Sequence, residues 1–226
     1  MRVALITVGD EILAGDITDT NAAWLASTLA ERGAAVERMV TVPDVRETIA
    51  ETVGDLASDF DAVVVTGGLG PTHDDVTLDG VAAAFDREIV DSEQVRAYLD
   101  SEGYRSYANR GERATMFPKG ARLLENEVGV APGAVVENVY VFPGVPAEMQ
   151  AMFDAVADEF EGERRHTEYV HADEPESRLV ERFETLQREF EVAVGSYPGD
   201  GVKVKIQGTD PEEVEAAREW LEARVR

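Results

Sequence analysis

The apolar run Ala62–Val65 ends at Thr66 in a turn holding Gly67, Gly68 and Gly70. Two adjacent carboxylates, Asp74 and Asp75, follow, and then Leu78, Val81, Ala82 and Phe85 recur at helical spacing. An uninterrupted apolar run predicts a strand buried on both faces, as in a sheet covered by helices on each side. The glycines then lie between the carboxyl end of a strand and the start of a helix, the edge where open α/β sheets bind ligands. Bare backbone there can approach an anion, and successive N–H groups can cradle it. Neither common phosphate-loop pattern is present: no Gly-Lys-Ser/Thr ending occurs, and the three glycines do not fit G-x-G-x-x-G. Asp74 and Asp75 would repel a bare phosphate, so beside such a backbone they read as holders of a bridging divalent cation. The same residues also read as a glycine turn followed by an Asp helix cap.

The rest of the chain repeats the alternation. Val3–Val8 is a buried-strand run ending at Gly9-Asp10-Glu11, and Asp19-Thr20-Asn21 caps a helix with Ala22, Leu25, Ala26 and Leu29 inward, closed by Gly33. Val36–Val42 is the next strand, and Pro43-Asp44 starts a helix with Val45, Ile49, Val53 and Leu56 inward. Asp91-Ser92 opens another helix, residues 104–112 read as a loop or lid, Ala121–Leu124 as a short strand, and Glu137-Asn138 as the turn of a hairpin. Pro143-Gly144-Val145-Pro146 ends a strand and starts a helix whose buried face includes Met149, Met152, Phe153, Val156 and Phe160. This pattern predicts a parallel sheet with helices on both faces. The pattern changes near Gly162–Arg165, so a main domain over residues 1–165 and a small α+β domain over 166–226 are expected. The small domain reads as β-α-β-β-α, with strands near Thr167–His171, Val192–Ser196 and Val202–Gln207, a helix from Pro175 and a last helix from Pro211. Tyr197, Lys203 and Lys205 there read as ordinary hairpin residues.

Composition narrows the function. The 226 residues carry 46 acidic and 21 basic side chains, a formal charge of −25, with the acids spread through periodic segments. A surface this acidic excludes general binding to nucleic acid or anionic membrane and suits a protein kept soluble at high salt, where self-repulsion is screened. No run reaches the roughly 18 apolar residues of a membrane span. The chain enters its first strand directly after Met1, so a cytoplasmic location is expected. Cysteine is absent, which excludes disulfides and Cys-type zinc sites, and three histidines argue against a His-rich site.

Four separated motifs resemble a known family: Gly9-Asp10-Glu11-Ile12-Leu13-x-Gly15, Asp19-Thr20-Asn21, Thr66-Gly67-Gly68-Leu69-Gly70-Pro71-Thr72-x-Asp74-Asp75-x-Thr77, and Pro143-Gly144-Val145-Pro146-x-Glu148-Met149. Together they resemble the MoaB/Mog-type molybdopterin-binding domain, in the version at the N-terminus of CinA, over about residues 1–160. The resemblance implies a three-layer α/β/α fold with a mostly parallel sheet, and dimers or trimers. It also implies a pterin- or nucleotide-linked diphosphate as ligand, with magnesium, manganese or cobalt as the cation. CinA-type members are linked to metal-dependent hydrolysis of ADP-ribose and similar compounds, Mog-type members to adenylylating or binding molybdopterin. The chain stops at Arg226, so the amidase activity of longer CinA proteins is not carried over. On this resemblance Gly9, Gly67, Gly68, Gly70 and Pro71 form the ligand cradle, with Thr66 and Thr72 giving hydroxyls and Pro143-Gly144 closing a wall. Asp74 and Asp75 hold the metal, Asp75 also acting in catalysis. Asp10 and Glu11 offer a further metal contact or orient the attacking water, or else cap the loop. Arg110, Arg113 and Lys119 are either phosphate partners or surface ion pairs, and His73 occupies a variable position. The alternative function is a non-hydrolytic molybdopterin-binding or regulatory module.

Overall fold

The computed structural model describes residues 1–70, 72, 74–101 and 113–225, which fall into two units, Met1–Gly162 and Glu163–Arg226. Pro71, His73, Arg110 and the expected loop or lid at 104–112 lie outside the described residues.

The first unit begins with β1 (Arg2–Val8), a short α1 (Asp10–Leu13), α2 (Thr20–Glu31), β2 (Ala35–Val42), α3 (Arg46–Asp59) and β3 (Ala62–Thr66). It continues through α4 (Thr77–Ala84), β4 (Ile89–Asp91), α5 (Glu93–Ser101), β5 (Met116–Pro118), β6 (Arg122–Leu124), β7 (Gly133–Val136), β8 (Val139–Phe142) and α6 (Pro146–Val156). Six strands form one sheet in the order β2-β1-β3-β8-β7-β6, with β2, β1, β3 and β8 mutually parallel and β7 antiparallel to its two neighbours. All five residues of β3 are buried, for the reason its sequence indicated: it lies inside the sheet with a helical layer on each face. Val63 and Val65 pack with Ile49 and Val53 of α3 and Leu99 of α5, whereas Ala62 and Val64 pack with Leu25 of α2 and Met152 of α6. The arrangement is the expected three-layer α/β/α fold with a mostly parallel sheet.

Several details depart from expectation. Pro43-Asp44 does not start α3, because Val45 is its N-terminal flank and has no side-chain cap; the Asp44 carboxylate turns instead to the N–H of Asp10 at 3.0 Å. Met149, Met152, Phe153 and Val156 form the buried face of α6 as expected, but Phe160 joins that core from beyond a 3-10 turn at Ala157–Glu159. The pairing of β4 with β5 had no periodicity to announce it, since each strand is only three residues long.

In the second unit, β9 (His166–Ala172), α7 (Val180–Glu189), β10 (Ala193–Gly199), β11 (Gly201–Gly208) and α8 (Pro211–Glu222) build a three-stranded antiparallel sheet with helices. Its own core includes Val170, Leu186, Val204, Ile206, Val214 and Leu221. Tyr197 and Pro198 belong to β10 rather than to a loop, because pairing runs on to Gly199 opposite Gly201. The segment after Pro175 makes a 3-10 turn at Glu176–Arg178 before α7 begins.

Candidate functional site

The parallel strands end level with one another. Thr66 of β3 is in register with Thr7 of β1 and with Phe142 of β8, and Val8 with Val42 of β2. The residues that follow therefore leave the sheet along one rim. Gly9 N–H donates to the Val42 carbonyl, and Gly67 N–H to the Phe142 carbonyl, both at 3.1 Å. At Gly67, with φ +99°, a Cβ would stand 2.2 Å from the Val8 carbonyl oxygen; at Gly68, with φ +62°, one would stand 2.2 Å from Thr77 Oγ1. Only glycine meets both demands, left-handed backbone and close approach, so the turn is bare at this point. Asn21 Nδ2 donates to the Gly144 carbonyl at 2.7 Å, tying the start of α2 to the turn before α6. Asp19 caps α2 by accepting from Ala22 N–H at 2.9 Å and also accepts from Thr7 Oγ1 at 2.5 Å.

These segments enclose a cleft of about 470 Å³, within the range of small-molecule sites. Glu11, Asp19, Asp44, Asp74 and Asp75 line it, and among the described residues no Lys, Arg or His does. Burial, together with the nearby charges of Asp10, Glu11 and Asp74, pushes the Asp44 carboxyl above its usual range, against the Asp10 N–H that it accepts. Asp75 braces the glycine turn: its carboxylate accepts from Gly70 N–H at 2.8 Å, Thr72 N–H at 2.9 Å and Thr72 Oγ1 at 2.5 Å. Thr72 Oγ1 is also bonded to Asp74. Behind the turn, Arg113 donates to the Asp75 carbonyl at 3.3 Å and is ion-paired with Asp79, beside a hollow of about 40 Å³ that holds no more than a water or two. Two buried polar atoms lack partners among the described residues, Asn21 Oδ1 and Thr77 Oγ1.

Of the residues expected at the site, Gly9, Glu11, Thr66, Gly67, Gly68, Asp74, Asp75 and Gly144 line this cleft. Gly70 and Thr72 act within the turn instead, bonded to Asp75. Pro143 is buried next to Gly144 without lining the cleft, and exposed Asp10 meets Asp44 through its backbone. Lys119 pairs with Glu88 at 2.8 Å, and Met149 and Met152 are core residues. Sequence reasoning missed Thr7, Asn21 and Asp44 as lining residues. Asp44 was within reach, since it stands two positions beyond a predicted strand just as Asp10 and Gly67 do; Asn21 was read only as part of a cap. Among the described residues no three His, Cys, Asp or Glu side chains are gathered closely enough to hold a metal ion by themselves.

A parallel sheet whose strand ends surround a glycine-floored, acid-lined cleft defines an α/β ligand-binding domain. The family is then given by similarity: residues 4–161 match the "Probable molybdopterin binding domain" family, and the chain belongs to it. Residues 164–226 match the FAD synthase middle domain. A protein of Archaeoglobus fulgidus is 42% identical over 224 residues, covering 98% of this chain and 97% of its own. A CinA-like protein of Citrifermentans bemidjiense is 42% identical over 163 residues, 68% of this chain but 39% of that longer protein. The crystal structure of CinA from Thermoplasma acidophilum, described as of unknown function, has a TM-score of 0.65 at 34% identity, covering 70% of this chain and 97% of that one. No helix among the described residues is long and apolar enough to cross a membrane.

Proposed function

We propose that the first unit binds a pterin- or nucleotide-linked diphosphate with a divalent cation and hydrolyses it, ADP-ribose being the type of substrate. The observation that carries this reading is the pairing, in one cleft, of bare backbone at Gly67 and Gly68 with carboxylates and, among the described residues, no basic side chain. An anion entering it needs a positive partner that the described residues do not supply. The donors present are carboxylate and hydroxyl oxygens, which suit a hard cation such as Mg²⁺, Mn²⁺ or Co²⁺ sharing its shell with phosphate and water rather than a cage made wholly of protein. When bound, such an ion neutralises phosphate charge and acidifies water.

The chain's own residues then divide the work. Gly68 gives its backbone N–H to the diphosphate, Gly9 and Gly67, whose N–H groups are held by Val42 and Phe142, leave room for its approach, Thr66 gives a hydroxyl, and Gly144 closes a wall. No more than two of Glu11, Asp44, Asp74 and Asp75 would hold the cation at once, the rest of its shell being phosphate and water, and Asp75, with Gly70 and Thr72, also sets the shape of the turn. Asp10 positions Asp44 through its N–H. Water attacks one phosphorus, its proton passes to Asp44, and the bond to the bridging oxygen breaks to leave two monophosphates. We place the protein in a salt-rich cytoplasm as a dimer or trimer, in keeping with its charge and the likeness to CinA.

Incubation with ADP-ribose, NAD or FAD and Mg²⁺, Mn²⁺ or Co²⁺ in molar KCl tests the reading. Metal-dependent release of AMP is expected, with Asp44→Asn and Asp74→Asn each lowering kcat by about 10²-fold or more. Tight pterin binding without turnover would decide for the second reading, a molybdopterin-binding module, which the family match favours.

A further inference from the structure

We infer that the second unit carries a binding surface of its own, the open face of its three-stranded sheet. This face takes short stretches of single-stranded nucleic acid, stacking bases on Tyr169 and Tyr197 beside Lys203 and Lys205. The inference is independent of the cleft in the first unit.

The surface follows from the register. Val170 and Ala172 of β9 and Val202, Val204 and Ile206 of β11 turn to one side, where Leu186 of α7 and Val214 and Leu221 of α8 bury them. Both helices lie on that side, so the alternate residues form the open face. Along β10-β11-β9, Tyr197, Lys203 and His171 make one cross-strand row, and Gly195, Lys205 and Tyr169 the next. Tyr169 is 49% exposed and Tyr197 54%. Tyr197 reaches back over Gly195, where a Cβ would stand 3.7 Å from its hydroxyl and 3.9 Å from its ring carbon Cε2. The two rings thus flank Lys205 from strands two spacings, about 10 Å, apart. Lys203 Nζ lies 3.9 Å from the centroid of the Tyr169 ring, a cation held over an aromatic face.

The charge on this face is the reverse of the chain's. Of the 226 residues 46 are acidic and only Lys119, Lys203 and Lys205 are lysines. Two of those three stand here, and no carboxylate occupies a strand position on the face; Asp173 and Asp200 lie beyond the strand ends. Lys119 pairs with Glu88, whereas Lys203 and Lys205 pair with no carboxylate among the described residues. With acids so abundant, lysines left to themselves beside exposed rings point to an anion that carries planar groups. A second copy docked face to face would set four lysines against one another. A small ligand needs a cleft, whereas a flat sheet bearing aromatic rings suits an extended strand of bases. The formal charge of −25 excludes capture by long-range attraction. In molar salt, however, charges are screened beyond about 3 Å, and stacking is made at contact.

Fluorescence anisotropy of the full chain tests the surface with three probes: a labelled single-stranded octanucleotide of mixed sequence, its duplex, and polyglutamate, each from low to molar KCl. The single strand is expected to bind at least tenfold tighter than the other two. Tyr169→Ala and Tyr197→Ala should each weaken it about tenfold, and Tyr197→Phe not at all, because the ring rather than the hydroxyl stacks. Lys203→Gln and Lys205→Gln should each make the fall of log affinity with log salt shallower by about 0.7. Arg188→Gln, which removes a charge from α7 on the other side of the sheet, should leave that slope unchanged. No binding of the single strand, or equal binding of polyglutamate, would overturn the surface. Full binding by both alanine variants would overturn it by putting the strand elsewhere. A smaller particle in those variants by light scattering would make the face a subunit contact and overturn it too. None of these outcomes bears on hydrolysis or pterin binding in the first unit.

Discussion

Asp44 holds its charge where the folded chain opposes it. Burial and the neighbouring Asp10, Glu11 and Asp74 raise its carboxyl above the usual range, so the ionised form is less favoured in the folded state than in the unfolded one. An acid whose folded pKa is raised costs stability above that pKa, and the cost disappears as pH falls through it. Asp44→Asn keeps an oxygen to accept the Asp10 N–H while removing the charge. It should therefore stabilise the protein slightly at neutral pH, the effect being reduced by solvent screening, and the gain over wild type should vanish as pH is lowered through the raised Asp44 range. Thermal unfolding of the two proteins across that range checks the sign. A divalent cation added at neutral pH should raise the melting temperature of wild type more than that of the variant.

At the scale of elements, the legible parts were those whose burial leaves a periodic trace. β3 was plain because both its faces are covered, and α2 because Asp19 caps it and Leu25 and Leu29 recur at helical spacing. β4 and β5 were not, since three residues carry no period. At the site, Gly67 and Gly68 were legible through their chemistry, whereas the gathering of Asn21, Asp44 and Gly144 around them depends on strand order and register. The role of Asp75 as a brace for the turn was also hidden, because its sequence neighbours do not say which N–H groups it will meet. One element-scale contact can be tested directly. Phe153 of α6 is fully buried and its ring meets Trp24, Phe142 and Phe160 with centroids 5.7, 6.2 and 5.2 Å away. Phe153→Ala should cost the first unit about 3–5 kcal/mol, read as a lowered urea midpoint, with the cleft residues themselves untouched.

For the whole molecule, charge and topology set the terms. A formal charge of −25 on 226 residues stores repulsion that salt screens. The melting temperature should climb by several degrees between low and molar KCl, and a flat response would remove the reading of salt adaptation. The bond between Asn21 and Gly144 spans 123 residues, and the pairing of β3 with β8 joins Val63 to Val139. Closing such distant contacts is slow, because loop entropy is lost before the contact forms. A chain partway through folding can thus own its helices and its first strands and still have no wall for a guest to lean on. Whatever occupies the cleft recognises only the completed first unit, and capture of a ligand by a nascent or damaged copy becomes a direct gauge of whether its two distant halves have met.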